Sequence, residues 1–224
     1  MKKLRNYCKS WNKFEISLII LAILLILGIG VILNCEMLSI VVAFLGIFSA
    51  LNQTKKMVFG QVTGVILAIL YSYMSYMNRY YGEVIVYMLV ILPLYIVGIY
   101  TWSKNKDSKT EEVKQSEIYL KEWLVLLIIN IILFIALYKM LKYFNTNQLI
   151  ISTISMNLNL CATYLLVRRS KYCFIFYLIN AFILLTLWGI PVINGNIKVL
   201  PMIFDALLLI INNIYGMIKW KNNE

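Results

Sequence analysis

Long apolar runs broken by short polar turns, most of them basic, set the pattern of this chain. Eight runs can be drawn, at 16–33, 38–51, 57–77, 84–102, 123–141, 149–167, 174–193 and 199–218. Most are close to the 20 residues that a helix rising about 1.5 Å per residue needs to cross a hydrocarbon core about 30 Å thick. The second is the shortest, and Asn52 and Gln53 can extend it. The pattern predicts an all-α, polytopic membrane protein with about eight transmembrane helices.

Composition strengthens this reading. Of 224 residues 62% are hydrophobic and 14% charged, and the mean hydropathy is +0.80. A soluble domain is nearer half apolar and a quarter charged, so the bilayer must serve as solvent. The first run is too long for the core of a cleavable signal peptide, and no small-residue cleavage site follows it.

The formal charge of +11 matters through its placement. With the amino terminus in the cytoplasm, alternate polar segments hold Lys2, Lys3, Arg5, Lys9 and Lys13; Lys55 and Lys56; Lys104, Lys106, Lys109, Lys114 and Lys121; Arg168, Arg169 and Lys171; and Lys219 and Lys221. The outer segments hold Arg79, Lys139, Lys142 and Lys198. A division of 17 to 4 would not survive the loss or gain of one span. It predicts a cell (cytoplasmic) membrane protein with both termini on the cytoplasmic side, and it reads the basic charge as topology, with the lipid bilayer and not nucleic acid as the partner.

The longest polar stretch, 103–122, divides the chain near its middle. On either side the spans echo each other. The fourth run ends Gly98-Ile-Tyr-Thr-Trp102 and the eighth ends Gly216-Met-Ile-Lys-Trp220. Lys55-Lys56 and Arg168-Arg169 mark equivalent turns, and both blocks enter the membrane from the same side. This predicts a parallel three-helix repeat in a 1+3+1+3 plan: an added leading helix (1–37), a first repeat (38–102), a linker with a connecting helix (103–147) and a second repeat (148–224).

Polar side chains inside spans are costly and usually face a bundle interior or a watery cavity. Gly60, Thr63, Gly64, Tyr71 and Ser75 recur at helical steps on the third span, and Ser152, Ser155, Asn159 and Thr163 on the sixth. Phe176, Asn180 and Trp188 share a side of the seventh span, and Asp205, Asn212 and Gly216 a stripe of the eighth, with Asn213 beside it. Gly60-xxx-Gly64 and the serines read as helix-packing positions. The asparagines and aromatics read as a central site that hydrogen-bonds a polar solute and stacks a flat ring. Asp205 is the clearest acid within a run, a candidate for proton or sodium coupling or for attracting a cationic solute, unless it lies at the outer end where water reaches it. Glu36 and Glu83 are expected in solvated outer turns, and Pro93 is placed to kink its helix.

Histidine is absent, and Cys8, Cys35, Cys161 and Cys173 show no paired spacing. No metal site, cofactor or enzyme activity is therefore expected, and the cysteines read as apolar fillers.

Several segments together resemble the PnuC family of vitamin-nucleoside transporters. They are Trp11-Asn-Lys-Phe14-Glu15; Tyr81-Gly82-Glu83 followed by Pro93, Gly98 and Trp102; Ser152-Thr153; Asn180; and Asn213-xx-Gly216-xxx-Trp220. The resemblance implies a three-plus-one-plus-three bundle like that of SWEET sugar transporters, with an added leading helix. It also implies facilitated diffusion of nicotinamide riboside, trapped inside by phosphorylation. Where that family often has two tryptophans ahead of the seventh-span asparagine, this chain has Cys173 and Phe176; where it often has a fourth-span glutamine, Tyr95 stands. Residue pattern and resemblance together give a solute-binding set of Tyr71, Tyr95, Asn159, Phe176, Asn180, Trp188, Asn212 and Asn213. The departures keep thiamine, riboflavin or a deoxynucleoside open as solute. A binding subunit of an ATP-driven vitamin importer, and assembly as a homo-oligomer, stay open as well.

Overall fold

Each apolar run folds as a helix in the computed structural model, which describes residues 10–108 and 110–221. The helices are α1 (Lys13–Ile32), α2 (Met37–Thr54), α3 (Phe59–Met77), α4 (Tyr81–Lys104), α5 (Leu120–Tyr143), α6 (Leu149–Val167), α7 (Cys173–Ile193) and α8 (Ile197–Lys221). Among the described residues the one β pairing is an isolated bridge between Lys106 and Val113. Lys2, Lys3, Arg5, Cys8, Lys9 and Lys109 lie outside the described residues.

Seven of these helices have the length and hydropathy of a membrane span. The eighth, α3, is diluted by Gln61, Thr63, Ser72 and Ser75, all buried, and it packs along α2 and α4. Its polar groups face protein, which is how a helix of lower hydropathy is accommodated in a bundle. The chain is thus an all-helical, multi-pass membrane protein.

Local chemistry sets the helix ends. Asn12 caps α1 by accepting from Glu15 N at 2.8 Å, while the Glu15 carboxylate accepts from Asn12 N at 3.0 Å. In α4 a π-helical stretch, Tyr87–Ile91, runs into Leu92 and Pro93. Pro93 has no N–H to donate, and a widened turn accommodates the missing bond.

The turns after α2 and α6 close with the same three backbone bonds. Lys55, Lys56 and Met57 donate to Leu51, Gln53 and Asn52; Arg168, Arg169 and Ser170 donate to Tyr164, Leu166 and Leu165. Lys56 and Arg169 sit at φ 58° and 62°, the left-handed residues on which such turns pivot. The indole of Trp102, near the end of α4, donates to Leu166 O at 3.0 Å, and that of Trp220, near the end of α8, to Thr54 O at 3.0 Å.

The segment between α4 and α5 is tied down. Val113 N donates to Lys56 O, Ser116 N to Arg169 O, and Gln115 Nε2 to Trp220 O at 2.7 Å. It straps both basic turns and the end of α8. Cys161 and Cys173 are buried in an apolar cluster with Trp102 and Trp220.

Glu83 departs from expectation. It is 1% exposed and accepts from Ser75 Oγ at 3.2 Å. The turn before α4 is short, and Gly82 has no side chain to hold off Leu141 of α5, which closes over this end; a Cβ there would overlap Leu141.

Candidate functional site

The six helices α2, α3, α4, α6, α7 and α8 enclose a cavity in the bundle interior. One wall is aromatic. Tyr71 and Tyr87 lie with ring centroids 4.4 Å apart, and Trp188 meets Tyr71 edge-on at 6.2 Å. Asn159 Nδ2 donates to the Tyr87 hydroxyl at 2.8 Å, and Thr163 and the Tyr177 hydroxyl pair at 3.0 Å, so the α6 polar stripe orients rings from α4 and α7. Tyr95 sits where Gly64 leaves room, since a Cβ at 64 would lie 2.7 Å from its ring.

The lining also carries polar groups. Gln53 donates to Ser49 Oγ and Gly60 O. Thr54 donates to Asn212 Oδ1 at 3.2 Å, which leaves Asn212 Nδ2 without a partner. Asn180 Oδ1, Trp188 Nε1 and Asp205 Oδ1 are also buried and unpartnered. Buried polar atoms are nearly always paired in folded proteins. Four of the ten unpaired buried side-chain atoms among the described residues belong to residues lining this one cavity, two donors and two acceptors. Asp205 is the one charged side chain in the lining; no lysine or arginine contributes to it among the described residues.

Packed side chains lie at both ends. Toward the basic turns, Phe174 and Trp220 pack at 5.2 Å and Trp102 and Trp220 at 6.3 Å. Beyond them Glu15, fully buried, accepts from Lys55 at 3.2 Å, Lys219 at 2.7 Å and the Tyr215 hydroxyl at 3.0 Å. Lys55 lies 4.0 Å from the Trp11 ring centroid. Burial pushes the Lys55 ammonium below the usual lysine range, against the pull of Glu15. At the other end Trp188 packs on Tyr80, whose hydroxyl accepts from Gln148 at 2.9 Å.

The structure gathers Tyr71, Tyr95, Asn159, Asn180, Trp188, Asn212, Asn213 and Asp205 on this cavity. Asp205 is buried against Gly46 of α2 and lies away from outer water. Phe176 is elsewhere, stacked on Trp123 of α5 with centroids 6.4 Å apart. The cavity face of α7 carries Phe174, Tyr177, Ala181 and Trp188. Asn180 lies at its edge, and Phe176 falls about 40° further round. Sequence reasoning missed Gly46, Ser49 and Gln53 on α2, together with Tyr87, Phe174 and Tyr177. The amide of Gln53 near a span end was a usable signal; the rings were not, because aromatics are common in membrane helices.

A multi-pass helical bundle around an aromatic and amide cavity is an architecture of membrane transporters. Residues 36–222 match the family described as nicotinamide mononucleotide transporter, and the chain belongs to that family. It is 23% identical over 221 residues to the nicotinamide riboside transporter PnuC of Neisseria mucosa, covering 96% of this chain and 84% of that one. Its fold is shared with the crystal structure of the vitamin B3 transporter PnuC, at a TM-score of 0.82 and 21% identity over 95% of this chain and 92% of that chain. The PnuC resemblance in the residues is thereby borne out, and the chain is a transporter, not an enzyme.

Proposed function

We propose that this protein carries nicotinamide riboside across the cytoplasmic membrane by facilitated diffusion, with phosphorylation inside the cell trapping it. The observation that carries this reading is the lining: aromatic rings, unpaired amides and, among the described residues, one carboxylate and no cation. A flat nicotinamide ring suits the aromatic wall, and ribose hydroxyls suit the amides. A mononucleotide would bring a phosphate dianion into a buried site with no counter-charge and one carboxylate, at prohibitive desolvation cost. The same exclusion gives trapping its physical basis, since the phosphorylated product does not re-enter the cavity.

The matched indole bonds of Trp102 to the end of α6 and of Trp220 to the end of α2 support a parallel repeat with two units rocking around the cavity. The basic turns support cytoplasmic termini.

The test is uptake by the purified protein in liposomes, with nicotinamide riboside and nicotinamide mononucleotide as solutes. Uptake of the riboside and not the mononucleotide is expected. Uptake of thiamine, riboflavin or a deoxynucleoside in place of the riboside would overturn the solute assignment and keep the fold's role. Binding without uptake would favour a subunit of a larger importer.

A further inference from the structure

We infer that Asp205 is a specificity-determining residue that selects solutes by ring charge, favouring a cationic ring over a neutral ring of the same shape. The inference rests on the cavity being a nicotinamide nucleoside site. Asp205 is 6% exposed, and its Oδ1 has no hydrogen-bond partner. Both carboxylate oxygens lie 2.8 Å from where a Cβ would stand on Gly46, so the absence of a side chain on α2 makes the seat for this carboxylate. Tyr71, Tyr87 and Trp188 line the same cavity, and aromatic rings attract a cation.

A carboxylate kept from water takes up a proton unless a positive charge meets it. No lysine or arginine among the described residues lines the cavity to do so, whereas Glu15 has Lys55 and Lys219, and Glu122 has Arg168. Asp205 thus has no protein cation beside it in the lining among the described residues, and a cationic solute supplies the charge that complements its ionised form. An N-ribosylated pyridinium carries a permanent positive charge that no shift in pH removes. Its reduced dihydropyridine counterpart has nearly the same outline and no charge. Shape and hydrogen bonding treat the two alike, and Asp205 separates them.

The experiment is calorimetric binding of nicotinamide riboside and dihydronicotinamide riboside to the purified full chain. The wild type is expected to favour the cation by roughly tenfold or more, the scale of a desolvated charge contact. Asp205→Asn is expected to weaken the cation and leave the neutral ring nearly unchanged, which closes the gap. Gly46→Ala, which keeps the carboxylate and displaces it, is expected to narrow the gap part-way and guards against a folding defect in the first variant. Equal binding of both solutes by the wild type, or equal weakening of both by Asp205→Asn, overturns the charge filter and leaves the riboside site standing. A wild type that binds neither overturns the solute reading, and the filter with it.

Discussion

Glu15 shows how much one side chain carries when it is buried among cations. Its carboxylate meets the helix cap at Asn12, two lysines and a tyrosine, and so joins α1, the turn after α2 and the end of α8. Glu15→Ala takes from buried Lys55 the carboxylate it is paired with at 3.2 Å. The expected loss is about 3–5 kcal/mol, the scale for breaking a buried pair from one side, read as a fall in melting temperature in detergent. Adding Lys55→Met recovers part of it, because the stranded charge is then gone. Burial lowers Lys55 and Lys56 from the usual lysine range. The unfolded chain therefore holds more protons than the folded one just below about pH 10.4, and stability rises with pH across that window. Melting temperatures followed between neutral and alkaline pH check the sign.

Gly64→Ala tests the other kind of residue, one that matters by its absence of bulk. The new Cβ would lie 2.7–2.9 Å from three atoms of the Tyr95 ring, a rigid group that must move as a whole. Overpacking of this sort costs about 1–3 kcal/mol, and solute affinity is expected to fall with it, since Tyr95 lines the cavity. Unchanged affinity by calorimetry would remove Tyr95 from the site.

Among the elements, the strap between α4 and α5 is the one whose character changed most between sequence and structure. Its Lys, Glu, Ser and Thr composition reads as a linker, yet its backbone bonds to both basic turns. Gln115→Ala removes the bond to Trp220 O and is expected to destabilise by about 1 kcal/mol. Replacing 110–117 with a Gly/Ser stretch of equal length is expected to cost several times that, since it also frees the turns; thermal unfolding distinguishes the two. The helices themselves were legible because run length and basic turns depend only on local sequence. Polar stripes on α6 and α8 were legible too, since a 3.6-residue period stacks them. Phe176 was not, because periodicity gives relative angles around a helix and says nothing of which neighbour each angle faces.

For the whole molecule, the division of basic residues makes topology directly testable. In a chain freed of its native cysteines, a cysteine at Lys106 is expected to react with a membrane-impermeant maleimide from the cytoplasmic side only. One at Arg79 is expected to react from outside only. Labelling of both from one side would break the alternation of spans and the parallel repeat with it.

Span count, the positions of the turns and the grouping of polar residues by helix face all follow from the order of residues, because hydrophobic thickness and helical period act along a single segment. The burial of Glu83, the meeting of Glu15 with Lys55 across 40 positions, and the choice of Tyr177 over Phe176 for the cavity do not. In hydrocarbon an apolar side chain is equally at home facing lipid or protein, so hydrophobicity loses its power to mark the inside. Which faces meet is then set by packing, by seats such as Gly46, Gly64 and Gly82, and by the need of each buried charge for a partner. Those are properties of the assembled bundle.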